Sequence, residues 1–384
     1  MRALVWALIP ATMTCMSISH RLRCGGATAP PRITVRAIAP VAPNSDASGV
    51  DALDGTATAL DSIWTLPITQ AGARRTLAWG PTTHATLWGQ AEWAEHVRSD
   101  RLLQIVLRWP QSKLVQRLAP SLLLLAAWTC VVWHRQLKLT TAALGYLSTP
   151  LGLLLAFRVN SVISRLHEAR ALWGQMIHTA CSLASTLAPE ELPLATRSRI
   201  CRYLVAFGWC AKAATRFDDD VEPLLATLLP TEEARSVMST RKPALALLGL
   251  LRLSTQRLSM STHAARHTTE AITELDRLYG GFERLLSFPL SPMYMRHTQR
   301  GLLLLLATLP CGLLNAGCTT LAKLVLVVTC VAYLMLGIDE IGIQIEQPFE
   351  VLPLHLLAAI LTRDVADQIM HCDGTSPEVE PAIQ

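Results

Sequence analysis

Apolar residues along this chain are concentrated in four long stretches separated by polar and charged segments. Each stretch contains a window of 15 to 22 residues with no Asp, Glu, Lys or Arg. A helix needs ~20 apolar residues to cross the hydrocarbon core of a bilayer. A single short window would also fit a buried helix of a soluble protein, but four together favour a polytopic membrane protein. The pattern predicts transmembrane helices over about 118–134, 139–158, 301–322 and 324–340.

Basic residues are distributed unevenly around these predicted spans. Several precede the first span, follow the second and precede the third, whereas the short connections inside each pair of spans carry few. Lys and Arg accumulate on the cytoplasmic side of membrane proteins. We therefore expect both termini and a soluble helical region, about 159–298, on that side of the membrane or on its organellar equivalent.

The amino-terminal 45 residues contain five arginines, seven serines or threonines, and no Asp, Glu or Lys. This composition is typical of an organellar transit peptide, which we place at residues 1–37. A secretory signal is the alternative, because Arg2 is followed by a short apolar run. Residues 38–90 are rich in Ala, Thr, Pro and Gly and predict a poorly ordered segment, and residues 371–384 predict a flexible tail.

The remaining segments predict helices. The helix of the second span continues to about Ala188, where two prolines mark a turn. Soluble helices follow within 195–229 and 231–288, with helix starts at Thr231 and Pro243. No window alternates convincingly as a strand, so the predicted fold class is all-α.

The chain offers few residues for chemistry. Its ten cysteines fall singly with no CxxC pair, which predicts neither a disulfide framework nor a zinc site. The acidic run at 218–220 is either a cation site or a solvated loop, and the loop is favoured because three adjacent carboxylates cannot converge from one helix face. The chain has no G-x-S-x-G, no H-E-x-x-H and no phosphate-binding glycine loop, so we expect no enzyme, no cofactor and no nucleic-acid partner.

The most informative stretch covers residues 145–174, GYLSTPLGLLLAFRVNSVISRLHEARALWG. Its apolar first half passes without a turn signal into a second half crowded with Arg, Asn, Ser and Glu. A membrane helix that continues outward as a charged helix can line a path for a charged solute. The fourth span likewise ends in acidic residues that need partners, and the nearest candidates are Arg158 and Arg165.

Four segments together resemble the bestrophin family of anion channels, and most closely its plant and algal branch, the thylakoid voltage-dependent chloride channels. The quoted segments are LLLAFRVNSVISRLHEARALW at 153–173, RYLVAF at 202–207, FPLSPMYMRHT at 288–298 and the stretch from Gly337 to Leu354 that contains IDEIGIQIEQPF. The resemblance covers roughly residues 91–370 in order. It implies a homopentameric membrane channel, in which the second membrane helix of each subunit lines a central pore.

The resemblance also implies roles for individual residues. The neck of the pore is expected at Thr149, Leu153 and Phe157, and Ser161 and Ser164 share that helix face at 100° per residue. Packing between subunits is the alternative for this face. The arginines beside it either attract anions or form structural ion pairs; the residues favour the structural role for Arg165, Glu168 and Arg170 and leave Arg158 open. The motif of the fourth helix supplies Asp339, Glu340, Glu346, Pro348 and Phe349.

Calcium gating is not expected. Animal bestrophins carry a dense acidic run after the segment that corresponds to Pro348 and Phe349, whereas this chain continues Glu-Val-Leu-Pro-Leu-His. That segment cannot supply the six to eight oxygens that calcium takes. Opening is expected to follow voltage or another stimulus. Residues 91–117, which form either an interfacial amphipathic helix or a simple lead-in to the first span, are a candidate regulator.

The expected function is therefore a chloride channel of the thylakoid membrane, with both termini in the stroma, that balances charge during light-driven proton pumping. Another plastid membrane or the plasma membrane is the alternative location. A bicarbonate channel that supplies carbon fixation is the alternative in the same class, because the pore residues do not separate two small monovalent anions. A non-conducting membrane scaffold is the alternative from another class.

Overall fold

The computed structural model describes residues 49–66, 88–97, 109, 112–190, 192–216 and 221–370. The transit peptide predicted at 1–37, the acidic run at 218–220, the tail at 371–384 and much of the candidate regulator at 91–117 lie outside these residues. All regular secondary structure in the described part of the chain is helical, which confirms the predicted fold class.

The helices follow one another in this order: α1 (Gly49–Ser62), α2 (Gln90–Val97), α3 (Lys113–Arg135), α4 (Thr141–Leu187), α5 (Leu194–Arg216), α6 (Glu222–Leu228), α7 (Thr231–Met238), α8 (Pro243–Gln256), α9 (Thr262–Ser287), α10 (Pro292–Asn315), α11 (Leu321–Ile345), α12 (Pro348–Val351) and α13 (Leu354–Met370). A 3₁₀ turn, Ile63–Thr65, follows α1. The end of α4 beside Ala188 and the starts of α7 at Thr231 and α8 at Pro243 confirm the predicted boundaries.

Three of the described helices are long and apolar enough to cross a membrane, namely Lys113–Arg135, Leu144–Leu187 and Leu321–Ile345. They correspond to the first, second and fourth predicted spans, the second of which begins a few residues later than the predicted start at 139. They pack, together with α10, around a small apolar cluster built from leucines of α4 and α10 and from Leu324, Val328 and Ala332 of α11. The indole of Trp128 in α3 donates a hydrogen bond of 2.9 Å to the carbonyl of Ala307, which ties α10 into the same bundle.

The third predicted span, 301–322, differs from the structure. Its helix, α10, begins earlier and ends at Asn315, so it has fewer apolar residues than predicted and includes Arg296 and Arg300. The helix stops because Gly317 adopts a left-handed φ of 92°, and the amide of Cys318 reaches back to the carbonyl of Leu313. This is a common way for a helix to end, and Asn-Ala-Gly in the sequence is a signal for it that a search for charge-free windows ignores.

Residues 49–66 also differ from the expectation of poor order. They form α1 and the 3₁₀ turn, and the side chains of Leu60 and Ile63 are buried in the core of the soluble region. Helix α1 packs on α5 and α6, where the hydroxyl of Thr56 contacts that of Ser198. Two apolar anchors are enough to hold this segment, although its average composition is that of a flexible one.

The soluble region has a large core of its own, assembled from α5, α8, α9, α13 and the second half of α4. Its largest fully buried side chains include Trp173, Trp209 and Phe207. Because the thiolate form cannot be hydrated in this core, burial raises the pKa of both Cys201 and Cys210 to about 12. Helix α4 belongs to both the membrane bundle and this core.

Candidate functional site: one face of the long helix

Helix α4 is continuous for 47 residues, from the membrane bundle into the soluble region. Pro150 lies within it and removes one backbone hydrogen bond near its membrane end, which a helix tolerates when its neighbours hold it in place. Beyond Pro150 no residue interrupts the helix until Pro189 follows its end. The sequence therefore places the apolar and the charged halves of the predicted pore helix on one rigid element.

The two sides of α4 have opposite environments. Leu151, Leu155 and Val162 are buried against the neighbouring helices. On the opposite side Leu153 and Phe157 are 56% and 57% exposed. Thr149, Ser161 and Ser164 are exposed as well, so all five residues predicted to share the pore-facing side remain open in the single chain.

The hydroxyl groups on this face are engaged with the helix itself. The Thr149 hydroxyl donates to the Gly145 carbonyl at 3.1 Å, and the Ser161 hydroxyl donates to the Phe157 carbonyl at 2.8 Å. Both hydroxyls still have lone pairs free to accept hydrogen bonds from water. The face therefore changes from weakly polar at Thr149 through apolar at Leu153 and Phe157 to weakly polar at Ser161.

Arg158, adjacent to Phe157, points into the bundle rather than onto the open face. Its side chain is fully buried, and its Nη1 donates to a carboxylate oxygen of Asp339 in α11. Arg158 also interacts electrostatically with Glu346, while its Nε and Nη2 have no hydrogen-bond partner. A buried cation needs such a carboxylate, and Arg158 and Asp339 form this buried ion pair.

Arg165 and Glu168 both contact the end of α9. Two nitrogens of Arg165 donate to the carbonyls of Leu285 and Phe288 at 2.6 and 2.7 Å. These carbonyls lie at the carboxyl end of α9, where helix carbonyls lack internal partners and a cation is favourable. Glu168 accepts a hydrogen bond from Arg284 in the last turn of the same helix. Arg170, the fourth predicted residue of this group, is exposed.

The expected partnership between the acids of α11 and Arg165 was wrong, because Arg165 binds carbonyl oxygens. Glu340 instead accepts from Arg117 of α3 at 2.9 Å and from the Gln344 amide at 2.9 Å. Glu346 is partly buried just beyond the end of α11. Asp339 and Glu346 both interact with Arg158, as the sequence suggested, Asp339 through a direct hydrogen bond and Glu346 electrostatically.

Pro348 and Phe349 are buried and structural. Phe349 meets Phe282 of α9 edge to face, with ring centroids 5.7 Å apart, and Phe282 stacks on Trp173 of α4 at 5.2 Å. This aromatic column joins α4, α9 and α12. It explains why an aromatic residue follows the proline in this motif.

Two contacts made by aromatic side chains were not foreseen. The Tyr294 hydroxyl of α10 donates to the Leu154 carbonyl of α4 at 2.6 Å, one turn from Arg158. The Trp109 indole donates to the Tyr333 hydroxyl of α11 at 3.0 Å, so the lead-in to the first span touches the membrane bundle. Tyrosine and tryptophan beside prolines at a membrane boundary were the available signal, since both side chains prefer that interface.

This chain is similar to proteins that are named as anion channels. A "Voltage-dependent anion channel-forming protein" of Synechocystis is 28% identical over 291 residues, which cover 71% of this chain and 93% of that protein. "Voltage-dependent chloride channel 2, chloroplastic" of Arabidopsis thaliana is 26% identical over 294 residues, which cover 72% of this chain and 71% of the relative. Similarity thus extends to both cyanobacterial and plant proteins.

Solved structures agree with this result. A bacterial bestrophin homologue from Klebsiella pneumoniae, crystallised as a point mutant, superposes with a TM-score of 0.61 at 27% identity. The superposition covers 66% of this chain and 99% of that structure. The sequence model of the family described as "Bacterial/Fungal Bestrophin protein" matches residues 93–367, far more than half of the sequence. This chain therefore belongs to the bestrophin family.

Proposed function

We propose that the protein is the subunit of a homopentameric, voltage-dependent anion channel that passes chloride and other monovalent anions. Family membership supports a channel, and the Synechocystis and Arabidopsis relatives carry the names of voltage-dependent anion and chloride channels. A single subunit has too few membrane helices to enclose a pore, so several copies supply the wall.

The observation that carries this proposal is the open face of α4. Large apolar side chains at Leu153 and Phe157 are more than half exposed and lie in line with small hydroxyl residues. A face that met only lipid would have no reason to alternate in this way. A face lining an aqueous path would do so, with Leu153 and Phe157 forming rings that restrict passage by size or by dewetting.

Anion preference on this path does not come from Arg158, because that cation is buried and paired with Asp339. The net charge does not supply it either, because the five arginines of the predicted transit peptide account for the formal net charge of +5, and the chain from residue 38 onward carries 29 Lys and Arg against 29 Asp and Glu. An apolar neck binds no anion tightly. Chloride and bicarbonate are therefore both expected to pass.

The proposed channel opens without calcium. After Phe349 the chain supplies a single exposed carboxylate, Glu350, and then buries Val351, Leu352 and Leu354 in the core. Carboxylates in the number that calcium requires are not present in this segment. Voltage is the proposed stimulus, with the segment that contains Trp109 as a candidate regulator.

We place the channel in the thylakoid membrane, with both termini in the stroma, where it balances the charge of light-driven proton pumping. The arginine-rich, acid-free composition of residues 1–37 supports a plastid address, and so does a chloroplastic relative. The distribution of basic residues around the spans supports the orientation.

The test is recording from planar bilayers with purified protein, residues 38–384, using chloride and then bicarbonate as the only permeant anion. We expect anion currents that change with voltage and persist in calcium chelator. Phe157→Ala is expected to raise the single-channel conductance at least about twofold, because a wider and wetter neck is easier to cross. Ile163→Ala is the matched control, since Ile163 is an exposed apolar residue of the same helix that lies about 120° away from Phe157.

The outcomes distinguish the proposed chloride channel from its alternatives. Equal effects of Phe157→Ala and Ile163→Ala would refute the assignment of the neck. A strong preference for bicarbonate over chloride would move the protein to the carbon-supply role. Silence at all voltages from protein shown to be pentameric by mass would favour a scaffold that does not conduct.

A further inference from the structure

One end of the membrane bundle lies opposite the soluble region and is called here the distal end. It consists of the connection between α3 and α4, residues 136–140, the connection between α10 and α11, residues 316–320, and the helix turns beside them. The amide of Leu139 donates to the carbonyl of Cys311 at 3.2 Å, so both connections lie at the same end of the bundle. The open face of α4 begins at this end with Tyr146, which is 80% exposed.

The side chains of the distal end that are charged at neutral pH are all basic. Arg135 is the last residue of α3, Lys138 lies in the connection to α4, and Lys323 lies in the first turn of α11. All three are exposed. Residues 101–167 and 284–338 contain no Asp or Glu, so these segments bring no carboxylate to the distal end. None of the ion pairs in the described part of the chain involves these three residues.

The end of the bundle that adjoins the soluble region has a different charge pattern. There Arg117 pairs with Glu340 at 2.9 Å, and the buried Arg158 pairs with Asp339. The bundle thus carries both signs of charge beside the soluble region and only positive charge at the distal end. Since the chain from residue 38 onward is balanced in Lys and Arg against Asp and Glu, this separation creates a local positive field that the net charge does not reveal.

The structure holds Lys138 in place through its neighbours. The amide of Leu137 donates to the Val132 carbonyl at 3.2 Å, and the amide of Leu139 donates to the Cys311 carbonyl at the same distance. The backbone around Lys138 is therefore fixed, while its side chain remains exposed.

Anchoring in the lipid headgroups is the alternative role for these basic residues, since such side chains at helix ends favour that interface. Helix stability does not explain the position of Lys323, because a cation in the first turn of a helix is disfavoured by the helix dipole. Charge and anchoring predict different results when the salt concentration is changed, because only the action of charge is screened by salt.

We propose that Arg135, Lys138 and Lys323 set the anion preference of the channel by concentrating anions and depleting cations at the distal mouth of the pore. This inference rests on the proposed function, and in the proposed pentamer each of these residues occurs five times around the mouth. From Thr141 at the start of α4 to Thr149 at the predicted neck, the helix rises about 12 Å. This distance is comparable to the Debye length of about 10 Å at 0.1 M salt, so the field reaches the neck.

The test is the permeability ratio of chloride to potassium, obtained from reversal potentials in bilayers of phosphatidylcholine, a lipid without net charge. Lys138→Glu is expected to lower this ratio at least about threefold near 0.1 M salt, and Lys138→Gln to lower it less, because local ion concentrations follow the local potential. At 1 M salt, where the Debye length is about 3 Å, both variants are expected to approach the parent. Arg257→Glu makes the same charge change at an exposed position beyond α8 in the soluble region, and as the matched control should keep the ratio of the parent.

Two further variants separate charge from side-chain identity. Lys138→Arg keeps the charge and is expected to retain the ratio of the parent. Lys323→Glu places the same change on α11 and is expected to lower the ratio in the same direction, so the test does not depend on the folding of one variant. If Lys138 were only an anchor, Lys138→Gln would lower the melting temperature and leave the ratio unchanged.

The contrary results are distinct from one another. A parent ratio in both Lys138→Glu and Lys323→Glu, or an equal change in Arg257→Glu, would overturn this inference and leave the channel itself intact. A change that persists undiminished at 1 M salt would also overturn it, because a field would be screened. A parent protein that carries no current at any voltage would overturn the proposed function and this inference with it.

Discussion

The membrane bundle and the soluble region bury their residues in opposite ways. In the three apolar helices only 17 to 22% of the membrane-length window is buried within the chain. In α5, which is not apolar enough to cross a membrane, every residue from 203 to 213 is buried. Hydropathy along the chain thus reports the solvent that surrounds a helix, whereas burial reports how many helices surround it.

The two regions also stabilise their buried cations differently. Lys212 of α5 is fully buried, and its ammonium lies 5.3 Å from the centre of the Trp209 ring, which provides a favourable face for a cation. In the membrane bundle the fully buried Arg158 is balanced by Asp339. The soluble region completes its core with its own chain, and the membrane bundle relies on lipid or on further subunits for its outer faces.

The largest effect is expected where the two regions meet, at the buried ion pair. Asp339→Ala leaves Arg158 without its carboxylate and is expected to cost about 3–5 kcal/mol of unfolding free energy. Chemical denaturation in detergent micelles, followed by tryptophan fluorescence, measures this cost. Glu340→Gln is the control, because the Arg117 partner of Glu340 is largely exposed and such a pair contributes about 0–1 kcal/mol.

A rescue variant makes this prediction sharper. Arg158→Met combined with Asp339→Leu removes both charges and keeps an apolar volume, which is expected to recover most of the loss. If Asp339→Ala and Glu340→Gln proved equally mild, the buried pair would not make the contribution to stability that is expected of it.

The next effect lies within the soluble core. Leu275→Ala in α9 empties a fully buried position and is expected to lower the free energy of unfolding by about 2–5 kcal/mol. Leu253→Ala in α8 makes the same chemical change at a position that is 53% exposed, and is expected to stay within about 0.5 kcal/mol of the parent. Thermal unfolding monitored by size-exclusion chromatography compares the two. Similar losses would mean that the α8 surface is covered by a partner.

The smallest effect concerns the contact between α4 and the end of α9. Arg165→Lys keeps the charge but cannot span the Leu285 and Phe288 carbonyls, and is expected to cost about 1–2 kcal/mol locally. Hydrogen exchange at the last turn of α9 should accelerate by about tenfold. Arg170→Lys, a change at an exposed position of the same helix, should leave that exchange rate unchanged, and faster exchange there would contradict the role given to Arg165.

The parts of this fold that could be predicted are those determined by neighbours in sequence. The uninterrupted course of α4, its end beside Ala188 and the helix starts at Thr231 and Pro243 follow from prolines and capping patterns within a few residues. The signal for the early end of α10 at Asn315 also lies within a few residues of that position, but a criterion based on charge alone overlooked it.

The partners of charged residues were much less predictable. Glu340 and Arg117 are 223 positions apart, and Glu168 and Arg284 are 116 positions apart, so no local pattern relates them. Arg165 shows the same limit, since its partners are backbone carbonyls that every residue possesses. Only the packing of α4 against α9 and of α3 against α11 selects among these possibilities.

The unbroken course of α4 gives the molecule mechanical leverage. At about 1.5 Å per residue, the distance along the helix from Leu153 to Thr186 is about 50 Å. A tilt of about 3° around one end of such a rod displaces the other end by about 2.5 Å, which is comparable to the size of a dehydrated ion. In the proposed pentamer, the α4 helices of the five subunits would tilt together. A small movement of the soluble half of α4 would therefore change the diameter of the pore at Phe157.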